Sequence, residues 1–532
     1  MEAAPGHPLE FALIVGLVLL VLTGVVAWNL RKHQRTASEY YLAGRKVTVL
    51  QNASAISGDY LSAASFLGVA GLAFLYGFAA LHYAYGFFLG FAVVLFFIAG
   101  PLRKFGHYTI PDFVAGRLHS KTGRAVAVFC VLVISLLYAA PQMLGAGKIM
   151  LILLGVPYEA GIAVVALTIT SYVVLGGMRA TTINQVIQFW VALVAIFAVA
   201  LSIVGDGNLT YGEVLAGLRA AEGQGSAGLD ALTPHSLPAT LSLLVALVLG
   251  TAGLPHILVR LYTNPDRARA RWSVLLVLLL IGSFYLVAPY IGFVVRYLVV
   301  ASTGPGGDGF SQPLLEWLAL DGKNLAVPAA ALHFGGSFGL GLVVAGALSA
   351  VLSTVAGLLV VTSAALGHDL YYTLYNPQAD ERTRVLVARG STIVMGLVML
   401  MVGLVVEQMQ IAVLVGLAFA VSASTLFPVL VAGIWWRGLT AKGAVAGMAV
   451  GLVSSLALIF GHGLLPAWIQ WENPGGITVP LAFLALWLVS RLDGNIPEDV
   501  DRFMVVVHGN REERRLRSAG RLRSRRSFAE MK

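Results

Sequence analysis

The feature that most limits what this chain can become is a succession of apolar stretches about twenty residues long, each nearly free of charge. A helix of that length crosses the hydrocarbon core of a bilayer. Lipid offers no partner to an exposed peptide group, so stretches of this kind must satisfy their own backbone as helices. A membrane β-barrel would instead show runs of about ten alternating residues, and no such runs dominate. The 532 residues are 58% hydrophobic and 11% charged, whereas soluble domains carry about 25% charged residues. An all-α polytopic membrane protein is expected.

About thirteen segments qualify by length. They lie near 9–29, 48–76, 78–102, 125–154, 156–178, 182–205, 236–260, 272–299, 337–366, 384–406, 410–435, 441–463 and 475–491. A short apolar stretch, Val327–Phe334, is expected on the outer surface before the ninth. Lysine and arginine gather on the cytoplasmic side of a membrane protein. With the N-terminus outside, the inner loops hold Arg31, Lys32, Arg35, Arg45 and Lys46, then Arg103, Lys104, Arg117, Lys121, Arg124 and Arg179. Arg267, Arg269, Arg271, Arg382, Arg384, Arg437, Lys442 and a basic tail continue the series. The outer loops hold Arg219 and Lys323 and little else. A miscount by one span would destroy this asymmetry. It predicts a multi-pass protein of the plasma (inner) membrane, N-terminus outside and C-terminus cytoplasmic.

The same distribution disposes of a nucleic-acid partner. The net charge of +9 is spread by topology, and the tail "REERRLRSAGRLRSRR" suits anionic lipid. The first segment has no positive flank before it and no small-residue cleavage site, so it is expected to stay as a span rather than leave as a signal peptide. Cys130 is the single cysteine, so no intrachain disulfide can form; it reads as a small apolar residue in a helix. The longer outer loops, about 206–235 and 301–325, have a linker composition, and the tail after Leu492 is too short and charged for a catalytic domain.

Two segments carry features hostile to a continuous helix. In "NASAISGDYLSAASFLGVAG" (52–71) Asp59 sits beside Gly58 among Ser54, Ser57, Ser62 and Ser65. A charged group at the bilayer centre costs about 2.5–3.5 kcal/mol on insertion scales. In "LSLLVALVLGTAGLPHILVRLY" Gly250, Gly253 and Pro255 stand beside Thr251 and His256. Proline removes a donor and clashes with the preceding turn, and glycine weakens the helix. These are the second and seventh segments. They are an odd number apart, so a second copy of a five-segment unit enters the membrane from the opposite side. Interrupted helices at matching places in two such halves point to a transporter's binding site. Freed carbonyls can hold a cation, and freed N–H groups an anion. Glycine and serine also serve close helix packing, and Asp59 can equally hydrogen-bond a neighbouring helix; both alternatives stay open.

From here the residues resemble the sodium:solute symporter family, and more closely its acetate permease branch (cation/acetate symporters), over roughly 36–490. "SEYYLAGRKV" (38–47), "GDYLSAASFLG" (58–68), "GTAGLPHILVRLYT" (250–263), "STVAGLLVVTSAALGHDLY" (353–371) and "FPVLVAGIWWRGLTAKGAVAG" (427–447) are similar to family segments in the same order. The resemblance implies a leucine-transporter-like five-plus-five inverted repeat with broken helices two and seven. The divisions would be a first helix outside the repeat (1–35), a first repeat (36–205), a second (206–435), two further spans (436–491) and a basic cytoplasmic tail (492–532). It implies sodium as the co-transported ion, no organic cofactor, and alternating access. By position, the sodium ligands would be the carbonyls of Gly58, Leu61 and Ala350 and the hydroxyls of Ser353 and Thr354. Sodium is a hard cation that takes oxygen ligands; the competing reading is that Ser353 and Thr354 bond their own preceding carbonyls. The chain departs from the broader family at Gln185, where an aspartate stands elsewhere.

The solute pocket is expected between the breaks, from Tyr60, Ser65, Tyr83, Gln142, Thr251, Gly253, Phe419 and Ser422, with His256 within reach of a carboxylate. Aromatic residues at such spacing also serve packing. Lys148 is expected to snorkel outward. Arg260 is expected near the inner end of its span, which leaves no embedded arginine in the pocket. That suits a small monocarboxylate such as acetate, propionate or pyruvate better than a dicarboxylate. An amino acid or other small organic solute, or a membrane solute sensor built on a symporter domain, are the alternatives. No nucleotide-binding motif or catalytic constellation is present, so an enzyme or an ATP-driven pump is not expected.

Overall fold

The computed structural model describes residues 10–30, 36–207, 209–222, 236–303, 309–406, 411–464, 466 and 469–509. Every regular element among them is helical. The order begins α1 (Glu10–Leu30), α2 (Ala37–Leu42), α3 (Val49–Tyr60), α4 (Val69–Tyr76), α5 (Leu81–Val93), α6 (Ala99–Phe105) and α7 (Ile110–Leu118). It continues with α8 (Lys121–Lys148), α9 (Tyr158–Gly207), α10 (Tyr211–Glu222), α11 (Leu237–Gly253), α12 (Pro255–Val259), α13 (Arg267–Thr303) and α14 (Gln312–Leu320). The last are α15 (Gly322–Ala364), α16 (Glu381–Val405), α17 (Ile411–Trp435), α18 (Ala441–Phe460), α19 (Gly475–Asp493) and α20 (Val500–His508). Arg31, Lys32, Arg35 and the tail from residue 510 lie outside the described residues.

Among the described residues, ten helical ranges are long and apolar enough to cross a membrane. Two of them, Ala64–Phe105 and Tyr158–Gly205, are 42 and 48 residues long, about twice one crossing. Each turns at a glycine of positive φ: Gly77 at 56° and Gly177 at 48°. Only a residue without a Cβ takes that conformation at little cost. A third such turn, at Gly336 (φ 54°), lies within α15. Val327–Phe334 forms the helical approach to it. Its residues from Val327 to Leu332 are buried rather than lying open on the outer surface, because they pack into the core with Leu325 and Ala326.

The site is positioned by a small set of neighbours. α15 packs along α9 and against α8, α11 along α17 and α5, and α3 along α9. Capping supports the entry of α3: Thr48 accepts from the Gln51 N–H while the Gln51 side chain accepts from the Thr48 N–H, the reciprocal arrangement that satisfies two orphan donors. Beneath the bundle, α20 lies across the ends of α6, α7 and α17. Phe503 sits 5.7 Å from Phe105 and 5.9 Å from Phe113, and the Arg117 guanidinium covers its ring at 5.2 Å. Arg117 also donates to the Gly433 carbonyl near the end of α17 and to those of Trp436 and Arg437 just beyond it. His508 bonds the Ile434 carbonyl at 2.8 Å.

Candidate functional site

Both suspected rods are broken, the second between Gly253 and Pro255 as expected and the first just past Gly58 and Asp59. Gly58 and Asp59 are still helical; α3 runs to Tyr60 and the chain leaves the helix at Leu61 (φ −72°, ψ 80°). The turn at Leu61–Ser62 is held by Ser62 N–H to Tyr60 O (2.9 Å), and helix resumes with Phe66 N–H to Ser62 O (2.9 Å). In the partner, α11 runs through Gly250 and ends at Gly253; Leu254 is extended (ψ 116°) and Pro255 opens α12. Proline suits that first helical position, where its missing N–H is an orphan anyway.

The glycines serve contact instead. A Cβ on Gly253 would stand 2.8 Å from the carbonyl oxygen and from Oγ of Ser422. One on Gly250 would press on Phe419, and one on Gly58 would be 2.8 Å from the Gln185 carbonyl oxygen. Such contacts bring α11 onto α17 and α3 onto α9 at backbone distance.

Four of the five expected ion ligands, Gly58, Ala350, Ser353 and Thr354, meet. The Ser353 hydroxyl donates to the Gly58 carbonyl across the α15–α3 interface and lies 3.2 Å from the Ala350 carbonyl. Thr354 Oγ1 donates to the same Ala350 oxygen at 3.0 Å. The back-bonding and the inter-helix readings of these hydroxyls therefore hold together. The Leu61 carbonyl belongs to the break itself. The result is a set of neutral oxygens on the last turn of α3 and on the facing α15, the donor type a hard cation takes.

The expected solute residues divide. Tyr60, Thr251 and Phe419 meet: Tyr60 Oη is 2.6 Å from Thr251 Oγ1, and the Tyr60 and Phe419 rings are 6.0 Å apart. Ser422 joins them by donating to the Gly250 carbonyl at 3.0 Å. Gln142 reaches the first break, where its Oε1 accepts from the Ala63 N–H at 3.0 Å. Ser65 instead faces Tyr285, 2.8 Å between hydroxyls. Tyr83 stands at the rim, donating to Glu472 at 3.3 Å, and is not brought to the breaks. His256 is buried 5.2 Å from the Tyr138 ring. Neither nitrogen of His256 has a hydrogen-bond partner among the described residues, nor do Ser62 Oγ and Gln142 Nε2. Buried polar groups are as a rule paired, so these mark a place where something polar belongs.

Sequence reasoning missed the rest of the enclosure. Phe87, Phe91 and Tyr138 ring Tyr60 and Phe419, with Tyr60–Phe91 at 4.7 Å, Phe87–Phe419 at 5.2 Å and Tyr138–Phe419 at 5.5 Å. A signal existed: Phe87 and Phe91 follow Tyr83 at intervals of four, and Tyr138 precedes Gln142 by four, so each shares a helix face with a residue already singled out.

Arg260 corrects the expectation placed on it. It is 1% exposed and lies beneath the enclosure, because burial within reach of a carboxylate and two polar side chains satisfies its guanidinium. Its Nε is 3.4 Å from Asp59 Oδ2, its Nη1 donates to Thr182 Oγ1 at 2.8 Å, and its Nη2 donates to Gln185 Oε1. Gln185 Nε2 in turn donates to the Ser353 carbonyl at 2.7 Å. Lys148 reaches Asp321 at 2.6 Å.

A second polar cluster joins α7, α8 and the segment after α15. Arg124 Nη1 lies 2.6 Å from both Asp112 Oδ1 and Asp369 Oδ1, and His368 Nε2 is 3.0 Å from Asp112 Oδ2. Asp112, His368 and Asp369 are close enough together to ligate a metal, but the guanidinium already supplies the positive charge between the carboxylates. Burial alone would push Asp112 up; His368 and Arg124 outweigh it and hold its carboxyl well below the usual range. A groove of about 460 Å³ between α9 and α16 is lined by Leu167, Leu397 and other apolar residues. Leu167 and Leu397 are exposed, so it opens sideways on the apolar surface and has no part in this site.

Two interrupted rods, with a buried cluster of aromatic and polar side chains between them and an oxygen cluster by one break, belong to a multi-pass secondary transporter of the leucine-transporter-like fold, not an enzyme. The chain belongs to the sodium:solute symporter family, whose description fits residues 40–451. It is 35% identical over 509 residues to the uncharacterized symporter YwcA of Bacillus subtilis (strain 168), covering 92% of this chain and 96% of that protein. Its fold is similar to that of a Na+-coupled sialic acid symporter solved in a substrate-bound, outward-open state. That match has a TM-score of 0.72 at 17% identity and covers 91% of this chain and 98% of the other.

Proposed function

We propose that the protein couples sodium entry to uptake of a small monocarboxylate such as acetate, propionate or pyruvate by alternating access. The observation that carries the reading is the enclosure between the breaks. Its unpartnered polar groups, the Ser62 hydroxyl, the Gln142 amide nitrogen and the His256 imidazole, can donate to one carboxylate, the neutral imidazole through one of its two nitrogens. The guanidinium beneath is already occupied by Asp59, Thr182 and Gln185. A second negative charge would find no free cation among these groups, which disfavours a dicarboxylate. Gly58, Leu61, Ala350, Ser353 and Thr354 hold the sodium. The repeats run over 36–205 and 206–435, and the C-terminus is cytoplasmic.

One sodium with one monoanion moves no net charge, so the membrane potential contributes nothing. A tenfold sodium gradient then supplies about 1.4 kcal/mol, enough for roughly tenfold accumulation. The test is uptake of labelled acetate into proteoliposomes, with competition by pyruvate, propionate and proline. Uptake that persists unchanged when choline replaces sodium at constant pH removes sodium coupling. Competition by proline alone replaces the monocarboxylate with an amino acid.

A further inference from the structure

We infer that Arg260, Thr182 and Gln185 form an intracellular gate, and that Gln185 couples this gate to the sodium site; the inference rests on the sodium reading above. The inner halves of the two broken rods are stapled together. Asn52 Nδ2 donates to the Arg260 carbonyl at 3.1 Å and to Asn264 Oδ1 at 2.6 Å, and Thr263 Oγ1 donates to Asn52 Oδ1 at 3.2 Å. Asp59, on the same pair of rods, faces the Arg260 Nε. The two inner halves therefore behave as one piece that carries the guanidinium.

The guanidinium bonds that leave this piece go to α9, from Arg260 to Thr182 and Gln185; Ser353 on α15, Arg103 on α6 and Ser273 on α13 hold the piece as well. Here the surfaces are close, since Gly58 leaves no room for a Cβ against the Gln185 carbonyl. A path to the inner side that opens between the piece and α9 breaks those two bonds. They are costly to break, because a buried guanidinium would lose two acceptors.

One side-chain amide spans both functions. Gln185 Oε1 holds the gate arginine, while its Nε2 holds the backbone carbonyl of Ser353, whose hydroxyl faces Gly58. A sodium ion bridging Gly58 and Ser353 pins the piece to α15, which packs along α9, the helix the gate must part from the piece. While Ser353 is pinned, Gln185 stays aligned on Arg260; when the ion leaves, the amide is free to turn and release it. Gln185 touches neither ion nor solute and acts as a positioning residue. Such coupling is reciprocal, so a shut gate also tightens sodium binding.

The test places a thiol at position 54, one turn inward of Gly58 on α3, where Ser54 is fully buried. The background is Ser54→Cys with Cys130→Ala in the full chain, and the readout is the rate of maleimide labelling with and without sodium. Sodium is expected to slow labelling of this background by about tenfold, the scale of one hydrogen bond to a charged group. Adding Gln185→Ala should make labelling fast in both conditions, erasing the sodium ratio. Adding Thr182→Val should raise both rates while keeping the ratio, because the amide link to Ser353 remains. Loss of the ratio in both variants means general loosening and overturns the assignment of Gln185, as does a ratio that survives Gln185→Ala. If Gln185→Ala does not fold, Thr182→Val decides: unchanged labelling at position 54 overturns the gate. Absence of sodium protection in the background, with uptake still sodium-dependent, overturns the gate and leaves the transport reading standing. Sodium-independent uptake removes both.

Discussion

Replacing Gly253 by alanine adds one methyl group where the second broken rod touches α17. The new Cβ would lie 2.8 Å from the Ser422 carbonyl oxygen and Oγ and 3.1 Å from the Phe427 backbone nitrogen, whereas ordinary contact begins near 3.4 Å. Two of these neighbours are backbone atoms, which cannot turn aside as a side chain can. The helices must part by about 0.6 Å, and overpacking of this kind costs about 1–3 kcal/mol in a dense interior. The strain falls on the junction that holds Thr251 beside Tyr60 and Ser422 on Gly250. If the closed enclosure bears all of it, apparent solute affinity falls about five- to 150-fold. Uptake kinetics measure this directly, and a melting curve of the purified protein reads the same strain as a lower Tm. Gly24→Ala is the control: no atom lies within 4 Å of its would-be Cβ, so it should be neutral or slightly stabilising. A Gly253→Ala protein with the Tm and KM of the parent would refute the close approach of α11 and α17 and the position it gives Thr251.

Three further outcomes are expected. Asp59→Asn and Arg260→Gln should each destabilise by about 3–5 kcal/mol, since each strands a buried charge, and the double variant should recover part of the loss; additive losses in thermal melts would deny the pairing. Ser353→Ala with Thr354→Ala should raise the sodium concentration needed for half-maximal uptake by at least about tenfold, and an unchanged sodium dependence would remove these ligands. Asp112 is held below its ordinary value, so its contribution to stability is complete above about pH 4 and fades as acid carries the pH lower; Asp112→Asn should flatten that acid-side fall in Tm, and a parallel curve would contradict the cluster.

How much the sequence revealed depended on the range of the interaction. The rods show themselves through proline and glycine, which act on their own backbone, and Pro255 marks the second break to within one residue. Gly58–Asp59 misleads by two residues because glycine weakens a helix without ending it; the chain leaves the helix at Leu61, which carries no sequence mark. Ser353 and Thr354 stand in a family-like motif, and the structure places their hydroxyls on the Gly58 and Ala350 carbonyls. Arg260 was not legible. Its sequence neighbours form a basic run toward the inner loop, while its partners Asp59, Thr182 and Gln185 lie 75 to 201 residues away. The aromatic ring around Tyr60 was hidden for the same reason: Phe87, Tyr138 and Phe419 stand on three different helices and look like ordinary core until the helices are assembled.

The helix α20 gives the face it covers a mechanical property. Phe503 is wedged between Phe105 and Phe113 under the Arg117 guanidinium, while His508 grips α17 through the Ile434 carbonyl. Those helix ends are cross-braced from below: they pivot together, or α20 peels away first. The ends of the stapled rods are tied into the same frame, because Arg103 on α6 donates to the Asn264 and Pro265 carbonyls at 2.6 and 2.7 Å.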